Sequence, residues 1–349
     1  MMSADPSQTP TAAPPSSASA TCRLQPPSAT LHADLALWTK QTALEIGFDL
    51  AGITTLAPSS RPDYIRDWFS SGRHSTMDYL LRHAPTKLDP QSHWPWVKSV
   101  IVLGLHYDPP DNRTPSPPQP DRIGQGKIAA YARGRDYHRV MAGLLKKLAA
   151  ALKSKMGAGF ESVVGVDATP LLEREMAARA GLGWIGKNTL VIHPKKGSWF
   201  VLGELLTNLD LPPDSPIADH CGTCTRCIDA CPTAALTPYQ MDAGRCISYQ
   251  LIENRSEIPA SFEQPIREAG YLVGCDICQS VCPHNSKAVP KPNSPGGPSR
   301  DGTIPLTAVL NWDEPQWDRM TRGRATRRVK LPMWKRNAEI LLGRRGAKD

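Results

Sequence analysis

Residues 220–232 read HCGTCTRCIDACP, and residues 271–285 read YLVGCDICQSVCPHN. The first stretch contains Cys221-x2-Cys224-x2-Cys227-x3-Cys231-Pro232. That spacing wraps three thiolates around one [4Fe–4S] cubane and turns the fourth towards a second cluster. A partner run must then exist. Cys275-x2-Cys278-x3-Cys282-Pro283 supplies it, with Cys246 as the remaining ligand. Crossed ligation assigns Cys221, Cys224, Cys227 and Cys282 to one cluster, and Cys231, Cys246, Cys275 and Cys278 to the other. CxxC pairs alone also suit tetrathiolate zinc. The triple run, the Cys-Pro endings and their duplication favour iron–sulfur. The ninth cysteine, Cys22, reads as a free thiol. Two clusters in series form an electron conduit, which implies a redox centre in the residues before them. No GxGxxG follows a strand there, so nothing local supports a nicotinamide or flavin site.

The 349 residues accommodate one large domain and a smaller one. No run approaches the roughly 20 apolar residues that cross a bilayer, so a membrane span is excluded. Residues 1–30 are rich in Pro, Ser, Thr and Ala and read as a disordered leader without the features of an export signal. The expected compartment is the cytoplasm, where thiols stay reduced and clustered cysteines are metal ligands or redox centres. The formal net charge is +8, but residues 319–349 hold eleven Lys/Arg against Glu339 and Asp349, a local excess of nine. The rest of the chain is therefore near neutral. A localised basic surface suggests a polyanion, nucleic acid first, and a solvated basic tail is the bland alternative.

Helical spacing predicts a helix over 31–47 with Gly47 as its stop, then a strand at 50–54 and helices across 63–83. SVIVLGLHY (99–107) reads as a buried strand, and the proline-dense 109–121 as a loop. An amphipathic helix follows at 136–156 and a strand ending on an acid at 160–167. A helix at 171–180 and a strand at 199–206 complete a layered α+β domain over 31–215. The cysteine domain spans 216–290, a loose stretch covers 291–302, and a basic helical tail occupies 303–349.

Several segments carry a resemblance to a known family: MDYLLRH (77–83), YARGRDYH (131–138), VDATPLLER (166–174), AGLGWIGKNTL (180–190), GSWFVLGELL (197–206), CISY (246–249) and both cysteine runs. Together they resemble the epoxyqueuosine reductases, relatives of the reductive dehalogenases, over about residues 31–343. The resemblance implies a nitroreductase-like cobalamin-binding domain, a ferredoxin-like domain with two [4Fe–4S] clusters, and reduction of epoxyqueuosine to queuosine at the tRNA wobble position. It implies Asp167 as proton donor and cobalamin, resting as cob(II)alamin, against Arg82, the backbone at Ala129, Val191 and Leu202. Cys275 and Asp276 would sit where the second cluster meets the corrin, and Ser248 on the tRNA side. The basic Arg327, Arg328, Lys330, Lys335 and Arg336 would grip the RNA backbone. Ala129-Ala130 replace the family's polar residue and arginine, which leaves only backbone contacts there. DYH at 136–138 resembles the start of DxHxxG, but Met141 stands in the glycine position, so cobalt is not expected to take a protein histidine.

Opening an epoxide builds alkoxide charge that a positioned acid must quench. An aspartate doing so near neutrality is expected to have its pKa raised by an apolar setting, and the bland reading of Asp167 is a helix cap. His138 reads as a hydrogen-bonding, partly buried histidine. The expected partners are the modified tRNA and an external electron donor, acting on a monomer. Two other functions fit the same cysteines: cobalamin-dependent reduction of a small molecule such as an organohalide, and a non-enzymatic electron-transfer module.

Overall fold

A computed structural model describes residues 29–107, 124–286 and 302–344. The leader with Cys22, the 109–121 loop, most of the 291–302 stretch and the last five residues lie outside the described residues. In chain order the strands are β1 (Leu50–Thr54), β2 (Ser99–His106), β3 (Gln125–Ile128), β4 (Ser162–Gly165), β5 (Trp184–Ile185) and β6 (Val191–Ile192). They continue as β7 (Phe200–Thr207), β8 (Leu236–Thr237), β9 (Gln240–Met241), β10 (Tyr271–Val273) and β11 (Thr303–Pro305).

The main sheet runs β1-β2-β7-β4 with every neighbour antiparallel. Alternation along β2 divides it between two cores. Ile101, Leu103 and Leu105 face the helices Ala29–Ile46 and Tyr137–Met156, packing with Ala43, Met141, Leu145 and Leu148. Val100 and Val102 face the helix Glu173–Arg179 through Met176, Ala177 and Ala180. Both faces are covered, which is why SVIVLGLH is apolar without a break. Met141 is fully buried against Gly203, where an added Cβ would stand 2.7 Å from Met141 Cγ. The residue that interrupts DxHxxG is thus a core residue.

β4 stops at Gly165, opposite Glu204, while β7 continues to Phe200. β7 therefore outruns its neighbour, and Leu202 is only part-buried although it lies in a central strand. The loop beyond β4 hangs at this edge and carries Asp167.

The second sheet, β10-β3-β11, alters the expected domain plan. β3 belongs to the first domain, β10 to the cysteine domain and β11 to the C-terminal segment. Gly126 permits the close approach: a Cβ there would stand 2.7 Å from Leu272 Cβ and 2.8 Å from Leu306 Cδ2. The segment after residue 302 is also no solvated tail. Trp312, Trp317 and Trp334 are buried with Val309, Val329 and Met333, and the indoles of Trp317 and Trp334 both donate to Val329 O at 3.0 Å. An aromatic core binds this segment to β3 and β10, with most of its charges on the outside.

Candidate active site and cluster-binding cysteines

Cys221, Cys224, Cys227 and Cys282 line one partly open cavity, together with Lys187, Asn188 and Ile192. The grouping brings one residue of the second run to the three of the first. Among the described residues no three His, Cys, Asp or Glu side chains converge on a point that would hold a single metal ion. Four thiols around one cavity are the ligand set that a cubane takes. The remaining four thiols form the other neighbourhood: burial pushes Cys275 up to about 12, and the nearby Cys246 and Cys231 add to the effect. Burial likewise raises Cys278, with Cys275 and Cys246 the next largest influences. Such thiols stay protonated in the bare protein, so iron must displace their protons on binding.

The first domain holds both loops in place. Lys187 Nζ donates to Gly222 O at 2.7 Å and Cys224 O at 3.1 Å, and Asn188 Nδ2 donates to Cys278 O at 3.3 Å. The Trp184 indole donates to Cys221 Sγ at 3.5 Å. Asp276, beside Cys275, is buried and accepts the Ala130 N–H at 2.9 Å, while Ala129 donates to Val273 O at 2.9 Å. Burial raises the Asp276 carboxyl to about 6.

From Ala130 the chain leads to the candidate acid. Tyr131, its phenol pushed up by burial, lies within electrostatic reach of both Asp276 and Asp167. Asp136 caps the helix Tyr137–Met156 and holds His138 Nδ1 at 2.7 Å, while His138 Nε2 stands 3.1 Å from Asp167 Oδ2. Two carboxylate neighbours require two N–H donors, which only an imidazolium has. Burial works against that charge, but the hydrogen bonds to Asp167 and Asp136 outweigh it and raise the His138 pKa. The His138 contact in turn lowers the Asp167 carboxyl against the opposing effect of burial. The raised value expected for Asp167 presumed an apolar setting of corrin and substrate; the chain's own residues pull the other way. The pair thus favours a charged Asp167 carboxylate beside a protonated His138, and the Asp167 side chain is 60% exposed. Asp167 is no helix cap either, since Leu172 occupies that position. Its backbone is left-handed, φ +52°, and its N–H donates to Glu173 Oε1 at 2.5 Å.

The basic segment lies beside these residues. Asp136 N–H donates to Gly323 O at 2.7 Å, and the charge of Arg328 is felt at Asp167. Arg328 forks onto Glu253, and Arg327 reaches Asp318 at 2.6 Å while lying 4.9 Å over the Trp317 ring. Lys330 is exposed, Lys335 and Ser248 are part-buried, and Arg82 is exposed on the short helix Asp78–Arg82. Val191 is buried in the second core, with Leu202 packed beside it. Arg336 departs from its expected role. It is buried, and its guanidinium donates to Gln250 O at 2.9 Å, Asn254 O at 2.8 Å and Ser256 O. It holds the fold together and cannot reach a phosphate.

These two kinds of cation separate by experiment. Arg336→Ala strands two buried carbonyls, those of Gln250 and Asn254, at about 1–3 kcal/mol each, so it is expected to lower the unfolding midpoint sharply. Lys330→Ala should leave stability unchanged and flatten the log–log salt dependence of RNA binding by about 0.9. Denaturation and salt-titrated binding measure the two effects.

Comparison with known proteins decides the family. Residues 87–168 match the family model "Epoxyqueuosine reductase QueG, DUF1730", and residues 220–285 match "4Fe-4S double cluster binding domain". The epoxyqueuosine reductase of Xanthomonas campestris is 38% identical over 316 residues, covering 89% of this chain and 87% of the relative. The chain belongs to the epoxyqueuosine reductase family. A Synechococcus sp. member is 39% identical over 86% of this chain and 92% of its own length. Among solved structures, an epoxyqueuosine reductase with an epoxyqueuosine-modified tRNA-Tyr stem loop superposes with a TM-score of 0.79 at 29% identity, covering 89% of this chain and 81% of that one. The Bacillus subtilis reductase, TM-score 0.78 at 29% identity over 89% and 82% of the two chains, has been seen with its catalytic aspartate loop swung out of the active site. The family is one of oxidoreductases, and the double-cluster domain lies where the cysteine runs placed it. No helix among the described residues is long and apolar enough to cross a membrane.

Several contributors to the site were not singled out in the sequence. Lys87, Glu173 and Glu204 surround the Asp167 turn. A signal for Glu204 existed, as an acid inside the otherwise apolar strand WFVLGELL is rarely buried without a reason.

Proposed function

We propose that this protein reduces epoxyqueuosine in tRNA to queuosine, the last step of queuosine synthesis, with Asp167 delivering a proton to the epoxide oxygen. The observation that carries the reading is that Asp167 stands 3.1 Å from His138 and within electrostatic reach of Arg328 in the basic segment, while Ala130, a few residues before His138, is hydrogen-bonded to Asp276 beside the cluster ligand Cys275. Loss of the oxygen as water takes two electrons and two protons. When bound, the two [4Fe–4S] clusters supply electrons singly and cobalamin supplies the strongly reducing centre at the epoxide. The cysteine sets already described would hold the clusters. Leu202, Val191, the Ala129 backbone, Arg82 and the Cys275–Asp276 corner would hold the corrin. Two features support a corrin that takes no cobalt ligand from the protein. Both His138 ring nitrogens are engaged by carboxylates, and Leu202, past the end of β4, is apolar and only part-buried.

The residues of the chain handle the protons. Asp136 fixes the imidazole, the imidazolium stores a proton, and Asp167, on a loop open to solvent, carries it to the substrate. The exposed Arg327, Arg328 and Lys330, with the part-buried Lys335, position the anticodon arm through phosphates, with Ser248 on the RNA side, while the unstacked base enters the site beside Asp167. Identity of 38% across 89% of the chain favours this reading over organohalide reduction or electron transfer alone.

Reconstitution with iron, sulfide and cob(II)alamin, followed by chemical reduction and mass spectrometry of nucleosides from epoxyqueuosine-tRNA, tests the function. The expected product is queuosine, 16 mass units lighter than the substrate, a difference of about one oxygen atom. Unchanged substrate in the presence of loaded clusters and corrin would refute it.

A further inference from the structure

Glu204 sits within β7 opposite Gly165 and is fully buried, yet neither carboxylate oxygen has a hydrogen-bond partner among the described residues. Its side chain points at the start of the Asp167 turn. An added Cβ on Gly165 would stand 3.4 Å from Glu204 Oε2 and 3.3 Å from Thr169 Oγ1. An ionised carboxylate removed from water without donors is strongly disfavoured. The cation felt at Glu204, Lys87, donates to Leu171 O at 2.9 Å, and Arg174, felt at the neighbouring Glu173, donates to Thr189 O at 2.8 Å. After burial itself, the largest influence on Glu204 is a second acid, Glu173. Two carboxylates side by side offer only acceptors, so the missing atom is a proton.

Glu173 also explains why that proton matters. Its Oε1 accepts the N–H of Asp167, whose left-handed backbone needs an anchor. We propose that Glu204 and Glu173 share one proton and act as a positioning pair, in which protonated Glu204 holds the Glu173 carboxylate against the Asp167 N–H and so keeps the Asp167 turn aimed at His138. The catalytic half of this inference rests on the role given to Asp167. The shared proton does not.

The electrostatics agree in sign. Burial first, then the neighbouring acids, push both glutamates upward, with Lys87 opposing at each and Arg174 at Glu173. A carboxyl whose folded-state pKa lies above its ordinary 4.5 keeps a proton that the unfolded chain releases. Its contribution is complete at low pH and is lost as pH rises through the elevated pKa. Beyond that point two charges repel and the turn loosens.

The test uses the reconstituted holoenzyme. Infrared spectra in H2O and D2O should show a protonated-carboxyl band in the wild type that Glu204→Gln abolishes. Glu204→Leu removes the donor and should lower kcat at least ~10-fold, with cluster content and KM for the modified stem loop unchanged. Glu204→Gln restores a fixed N–H donor to Glu173, so it should recover turnover and lose the alkaline decline that the pair causes. A band that survives Glu204→Gln overturns the shared proton, and this readout needs no substrate. Equal turnover in the Leu and Gln variants overturns the positioning role. Failure of the Asp167 assignment itself would show separately, as full activity in Asp167→Ala.

Discussion

Asp167→Ala is expected to lower kcat for epoxyqueuosine-tRNA by about 10²- to 10⁴-fold, the range typical for losing a positioned general acid. The effect should fall on kcat. Asp167 lies on the exposed loop past the end of β4, away from the cysteine cavity, and the basic segment that would grip RNA is folded by its own tryptophan core. Iron content, corrin binding and stem-loop affinity should therefore survive the substitution. Asp167→Asn keeps the shape and loses the proton, so it should be nearly as inactive. The pH dependence follows from the neighbours. The His138 pKa is raised and that of Asp167 lowered, so the stored proton is present at low pH and lost as pH rises through the elevated imidazole value. Turnover should decline on that alkaline side, and His138→Gln should lower the rate and remove this limb of the profile. Full turnover in Asp167→Ala would transfer the proton to another donor.

Local signals were legible in the sequence. The cysteine spacing is dictated by cubane geometry, the unbroken apolar run of β2 by burial on both faces, and Gly47 ends its helix in a conformation, φ +120°, that favours glycine. What escaped was non-local. QGKI at 125–128 has no strand alternation worth reading, because its pairing is set by partners about 145 and 180 residues further on. Arg336 looks like its basic neighbours in one dimension, and only the fold shows that its face of the helix Leu331–Leu341 turns inward onto three carbonyls. The His138 contact at Asp167 escaped for the same reason. The aspartate invited a desolvation argument, while the His138 that opposes it comes from a helix 29 residues earlier. Charges of buried and partnered residues are properties of the assembled site, which composition does not reveal.

The interlocking of the two cysteine runs makes the other large prediction. Cys282→Ala alters the second run, but Cys282 lines the cavity of Cys221, Cys224 and Cys227. Loss of that ligand should therefore unload the cluster bound mainly by the first run, while Cys231, Cys246, Cys275 and Cys278 keep theirs. Iron per chain should fall from about eight towards four, or towards seven if a three-iron core persists. Cys231→Ala should do the reverse, removing the cluster next to Asp276 and leaving the one beside Trp184. If the chain were wired without crossing, each substitution would affect the cluster of its own run. Double variants separate the cases. Cys282→Ala combined with Cys224→Ala removes two ligands from one cluster and should still leave about four irons. Cys282→Ala combined with Cys275→Ala strikes both clusters. Either cluster alone interrupts the series, so both single variants should abolish turnover driven by an external electron donor. The Cys282 variant should retain some turnover when a small chemical reductant reaches the remaining cluster directly. Electron paramagnetic resonance of the reduced proteins, read beside iron analysis, distinguishes these outcomes, and equal iron loss in the two double variants would exclude the crossed arrangement.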